Sequence, residues 1–123
     1  MDFTLESSRP IWQQLTEQLR RQIVTGAWAA GERVPSVREL ASEAGVNPNT
    51  MQRAMAQLET DGLVVTNRTA GRTVTDELTV LDEMRRALAR QLVEKYYDDM
   101  RSLGYAVSEA AALAQAGKDG KNE

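Results

Sequence analysis

The stretch "NPNTMQRAMAQLET", residues 47 to 60, holds side chains whose types and spacing could read a nucleic acid. Advanced at 100° per residue, Met51, Ala54, Met55 and Leu58 fall on one face of a helix, while Asn49, Arg53, Ala56 and Thr60 fall opposite, with Gln52 on the flank. Asn and Gln can each pair with two edge atoms of adenine and Arg with two of guanine, and the small Ala56 lets another surface come close. A face serving solvation alone would favour Glu and Lys, which form i,i+4 pairs and propagate helix well. Three polar residues also fit an unremarkable wet face, so the weight falls on the elements around them.

Composition removes most competing chemistry. The chain of 123 residues has no cysteine and no histidine, so disulfides, Cys or His metal sites, Cys/His nucleophile pairs and a His general base are all absent. No carboxylate pair can be assigned to a pocket, and "AGKDGK" lacks the G-x-x-x-x-G-K-[ST] spacing of a phosphate loop. We expect neither an enzyme nor a bound cofactor or metal. "MDFTLESSRPIW" lacks the basic start and apolar run of a signal peptide, and nothing approaches eighteen consecutive apolar residues. A cytoplasmic protein with no membrane association is expected. The net charge of −3 is unevenly spread: residues 9 to 72 carry eight arginines against six acids, and residues 76 to 123 carry ten acids against seven bases. Every lysine lies in the second stretch. Arginine, with its planar fork, suits phosphate or guanine.

The elements that must position the polar face follow from pattern. Ile11, Leu15, Leu19 and Ile23 step at helical spacing, with Trp12 beside them. We expect a first helix beginning near Ser8, with Pro10 in its first turn, and ending at Gly26. Trp12 and Trp28 read as core, and Arg20 and Arg21 as solvated. "GAWAAGERV" reads as a connector. Ser36 and Glu39 form an S-x-x-E capping box, and Val37, Leu40, Ala41 and Ala44 make the inner stripe of a short second helix. Gly45 stops it, and Asn47 with Pro48 starts the third as N-cap and first helical residue. "LVVT", "NRTAG" and "RTVT" then read as strand, turn and strand. The expected fold is mainly α with a small β-hairpin: a winged helix-turn-helix domain over residues 1–76, followed by a C-terminal helical arm.

In this setting "GERVPSVRELASEAGVNPNT" resembles the signature of the GntR family of bacterial transcription regulators, whose winged helix-turn-helix commonly reads G-x-x-L-P-S-x-R-x-L-A, then a G-V-x-x-x-T helix start. The likeness runs from about Ile11 to Thr75 and is specific over Gly31 to Thr50. "NPNT", "NRTAGR" and the short helical tail resemble the family's small YtrA-type branch, which lacks a large effector domain. The resemblance implies that Arg38 lies on the DNA near the groove, that Asn49, Thr50 and Gln52 enter the major groove, and that Gly71 is the wing-tip glycine. Pro48 and Gln52 stand where many relatives have Arg, and Thr69 and Thr73 replace a wing Gly and Phe. The candidate DNA-binding set is Arg38, Asn47, Pro48, Asn49, Thr50, Gln52, Arg53, Arg68, Gly71 and Arg72. Within it Arg68 and Arg72 are expected on the phosphate backbone, whereas Arg53, like Arg33 outside the set, fits a phosphate contact or a solvated position equally.

From about Leu78 to Leu103 one long stripe runs through Leu81, Met84, Leu88, Leu92, Tyr96 and Met100, broadened by Ala89, Val93 and Tyr97. Such a helix would be about 39 Å long. A single winged helix is too small to cover it, and specific DNA affinity needs two half-sites about one turn apart. We therefore expect a homodimer formed through Leu81, Met84, Leu88, Leu92, Tyr96 and Met100. Ser108 is expected to cap a last helix ending near Gln115, giving an arm over 77–116 and a disordered tail over 117–123. Any small-molecule effector would bind in the arm or at the dimer interface. The expected function is a sequence-specific, double-stranded-DNA-binding regulator, a repressor acting by promoter occlusion on an inverted repeat. The alternative is a winged-helix adaptor that binds protein through the same outer face.

Overall fold

The computed structural model describes residues 1–121. Its elements run α1 (Ile11–Val24), α2 (Val37–Ala44), α3 (Pro48–Thr60), β1 (Val64–Asn67), β2 (Gly71–Val74), α4 (Leu78–Ser102) and α5 (Val107–Lys121). They fall into two compact units, one ending at Arg85 and the other beginning at Arg86. That division lies beyond Asp76, where the charge balance shifts, because Val80, Leu81 and Met84 of α4 pack against the core of the first unit.

In the first unit, Leu15, Leu19 and Ile23 of α1, Leu40 and Ala41 of α2, and Met51, Ala54, Met55 and Leu58 of α3 form a single core with Trp28, Val34, Leu63, Val64 and Val74. Burial of each large aliphatic or Met side chain contributes about 1.5–3 kcal/mol. The first helix starts later than its pattern suggests: Pro10 is the N-cap rather than a first-turn residue, and Ser8 stays outside. The segment before it packs instead. Met1, Phe3 and Leu5 lie against the core. Buried Gln14 holds this segment, accepting from the Glu6 amide at 2.8 Å and donating to the carbonyls of Glu6 and Arg9 at 2.7 and 2.9 Å. Arg9 grips Glu17 with two N–H bonds, of 2.8 and 3.1 Å, and this guanidinium holds the Glu17 carboxyl below its ordinary value. A depressed carboxylate stabilises the fold at neutral pH and loses that effect as pH falls through its folded value. Because the pair is half-exposed, the effect is small.

The helix-turn-helix is built by local chemistry. Ser36 and Glu39 close the capping box in both directions. Gly45 ends α2 at φ +68°, a left-handed conformation that a side chain disfavours. Asn47 caps α3, its side chain accepting from the Asn49 amide at 2.7 Å, with Pro48 in the first turn.

β1 and β2 pair antiparallel, Val64 opposite Val74 and Asn67 opposite Gly71. The connector before α2 joins this hairpin, a pairing that its glycines hid. Arg33 bridges to Thr73. The amides of Gly31 and Val34 donate to the carbonyls of Val74 and Arg72, and the Val74 amide returns to the Glu32 carbonyl.

In the second unit, no α4 side chain is fully buried. The Tyr96 hydroxyl donates to the Ala110 carbonyl at 2.7 Å, and Ala110 is buried. α5 is capped differently from expectation: Ser108 is already helical, and the Glu109 carboxylate accepts from the Ala106 amide at 2.8 Å. The helix also continues to Lys121, past Gln115 and into the stretch expected as a tail, of which residues 122 and 123 lie outside the described residues.

Replacing Gly45 by Ala should lower stability by about 1–2 kcal/mol, the cost of a left-handed L-residue. Urea denaturation followed by circular dichroism should show an earlier midpoint with an unchanged slope.

Candidate nucleic-acid interface

The site begins with the two faces of α3. Met51, Ala54, Met55 and Leu58 are each 0 % exposed, while Asn49, Gln52, Arg53, Ala56 and Thr60 are all exposed, as the 100° pattern predicts. The amide groups of the Asn49 and Gln52 side chains bond to no protein group among the described residues, which leaves their donors and acceptors available. Asn47 and Pro48 sit exposed at the head of the helix and Thr50 is half-buried behind them. Asn47 spends its side-chain oxygen on the cap, so its part in the site is to start α3.

Arg38 projects from the exposed side of α2 and has no partner among the described residues, so the neighbouring Glu39 and Glu43 do not claim it. It lines a cleft of about 770 Å³ with Arg33, Arg72, Gly71, Thr66 and the first turn of α2. Gly71 turns the chain at φ +72°, and a Cβ there would come within 4.0 Å of the Arg33 Nε. Arg68 is exposed in the turn between the strands. Arg33 and Arg38 bring two guanidiniums without an acidic partner to this cleft, beside Glu39 and the paired Arg72, a setting that can attract a phosphate chain.

Three placements differ from the sequence expectation. Arg20, read as solvated, forms two N–H bonds to Asp61, of 2.8 and 3.2 Å, and Gln57 donates to the same carboxylate at 3.1 Å. The pair joins α1 to the end of α3. Trp28 is core, but Trp12 is not: it is half-exposed, with the Arg53 guanidinium 4.0 Å from its ring centroid. Arg72, expected to be free for phosphate, pairs through its Nε with Glu59 of α3, which also accepts from the Thr66 hydroxyl at 3.4 Å. That pair ties the hairpin to α3. Asn67 adds a cross-strand bond, donating to the Thr73 hydroxyl at 2.8 Å.

With a capped second helix, a three-residue break, a helix with one buried and one bare polar face, and a hairpin beside it, the arrangement is a winged helix-turn-helix. Residues 12–74 match the model of the bacterial regulatory proteins of the gntR family. The chain belongs to the GntR family. It is 36% identical over 104 residues to the HTH-type transcriptional regulator YhcF of Bacillus subtilis, covering 85% of this chain and 86% of that protein. It is 31% identical over 99 residues to the HTH-type transcriptional repressor YtrA of the same organism, covering 80% of this chain and 76% of that one. Among solved structures, a GntR family transcriptional regulator from Listeria monocytogenes superposes with a TM-score of 0.82 at 34% identity, over 91% of this chain and 98% of that one. Membership of the GntR family makes this chain a DNA-binding transcription regulator rather than an enzyme. Among the described residues no group of His, Cys, Asp and Glu is placed to hold a metal, and no helix is long and apolar enough to cross a membrane.

Glu59 places a carboxylate beside the candidate arginines and occupies Arg72. Glu59→Gln should therefore raise affinity for duplex DNA several-fold at low salt and steepen its salt dependence, as read by fluorescence anisotropy.

Proposed function

We propose that this GntR regulator represses transcription in the cytoplasm by binding, as a homodimer, an inverted-repeat operator that overlaps a promoter. The observation that carries the reading is the bare outer face of α3. Asn49 and Gln52 offer paired donors and acceptors to base edges, and Thr50 borders the groove. Arg38 reaches the groove edge from α2. Arg68 and the Gly71 turn bring the hairpin to the backbone beside it, with Arg72 behind them. Such contacts fix register first and base identity second. The repressor assignment leans on the similarity to the Bacillus subtilis repressor.

The dimer is supported by the arm. Leu92 and Val93 are 56% and 54% exposed on α4, and Leu103, Tyr105 and Val107 are exposed at and after its end. A second copy would cover this apolar surface and set two reading helices on one duplex. The seam would run from Leu88 through Leu92 to Tyr96 and Met100. Leu81 and Met84, expected in the same seam, already pack against their own core and would only border it. An effector, if the protein responds to one, would act where it changes the spacing of the two reading heads, at this seam.

Gln52→Ala should cost about 1–3 kcal/mol on the preferred operator and relax selection at one position of each half-site. Arg68→Ala should weaken all duplexes alike and reduce the salt slope by about 1. Selection of duplexes from a random pool, followed by anisotropy titrations, checks both. A pool without two-fold symmetry would count against the operator proposed, and failure to bind any duplex at low salt would favour a protein-docking role for the same face.

Leu88→Asp combined with Leu92→Asp should give a monomer by sedimentation velocity, with the helical circular dichroism of the first unit retained. Persistence of a dimer would place the interface elsewhere.

A further inference from the structure

We infer that Trp12, at the start of α1, is a positioning residue that holds the Arg53 guanidinium of α3 ready to clamp a DNA phosphate. This rests on the DNA-binding reading above and adds a residue that lies outside the reading helix and the hairpin.

Arg53 follows Asn49 by one helical turn on the bare face of α3. Its guanidinium lies 4.0 Å from the centroid of the Trp12 ring. No carboxylate or carbonyl among the described residues accepts from it. The contact therefore restrains the charged group through the ring and leaves its N–H donors unspent. A free arginine loses substantial rotamer entropy when it is fixed on a ligand. Stacking on an aromatic face lowers that cost by fixing the head before DNA arrives.

The direction of the restraint sets the role. Because Trp12 belongs to α1, the contact turns the guanidinium towards α1, to one side of the face that Asn49 and Ala56 share. A group held at the flank of a reading helix meets the groove wall, which is phosphate, rather than the base edges. The acids at the end of α3 are already engaged: Glu59 with Arg72, and Asp61, its C-cap, with Arg20. Trp12 is half-exposed, so truncating it removes the restraint without emptying a core position.

The test is a double-mutant cycle on duplex affinity with Trp12→Ala, Arg53→Ala and the double variant, together with Trp12→Phe. Trp12→Ala should weaken binding about three- to five-fold, the scale of an exposed cation–π contact. The loss should be equal on operator and scrambled duplexes, absent in the Arg53→Ala background, and largely restored by Trp12→Phe. In the free protein, Arg53→Ala should change the emission of Trp12, with buried Trp28 as a constant background.

Equal losses from Trp12→Ala with and without Arg53 would overturn the inference, as would a change in base preference. No duplex binding by the wild-type chain at low salt would overturn the DNA reading and this inference together. Binding with Trp12 and Arg53 uncoupled would overturn this one alone.

Discussion

Everything at the interface depends on the burial of one side of α3. Met51, Ala54, Met55 and Leu58 are sealed against α1 and α2, and a helix anchored along one stripe cannot rotate without emptying the core. The opposite stripe is thereby fixed in direction. Asn49 and Gln52 need no support of their own, because the packing behind them sets where they point. A small regulator with little mass to spare gains a rigid probe at no added cost in residues. The core that folds it is the same core that aims it.

A second layer of order comes from ion pairs that connect elements distant in sequence. Arg20 with Asp61 fastens α1 to the end of α3, and Arg72 with Glu59 fastens the hairpin to α3. These are partly buried, hydrogen-bonded contacts, the kind that restrains geometry more than it adds stability. They set apart two groups among the arginines around α3 and the hairpin. Arg20 and Arg72 serve the fold, while Arg33, Arg38, Arg53 and Arg68 have no acidic partner among the described residues. A chain whose net charge is −3 still carries these four arginines without an acidic partner in its first unit, while ten of its acids lie at or beyond Asp76.

Local chemistry was legible in the sequence, and distant contacts were not. The Ser36 and Glu39 box, the Gly45 stop and the Asn47–Pro48 start each involve neighbours within four residues, so residue type alone announces them. The alternation of buried and bare faces on α3 followed from period. Trp12 read as core because nothing around it in the sequence suggests a stacking platform, yet its place depended on Arg53, which only the crossing of α1 and α3 brings near. Arg20 read as solvated for the same reason, its partner lying 41 residues away. The pairing of the connector with β2 was hidden by glycines that suggest a loop, and the packing of Met1, Phe3 and Leu5 by their place ahead of the first helix. In the long helix, the stripe was visible but its division was not. Nothing in the repeat itself tells that Leu81 and Met84 serve the nearer core while Leu92 stays bare.

The bridge from Arg33 to Thr73, with backbone bonds on either side of it, has a mechanical meaning. Only Pro35 lies between this stitched segment and the Ser36 cap of α2, so the hairpin and the head of α2 are hinged to a common bar. A displacement of the hairpin carries the head of α2 with it. The two therefore keep their spacing as one piece, which holds the exposed Arg38 of α2 and the turn carrying Arg68 at a set separation.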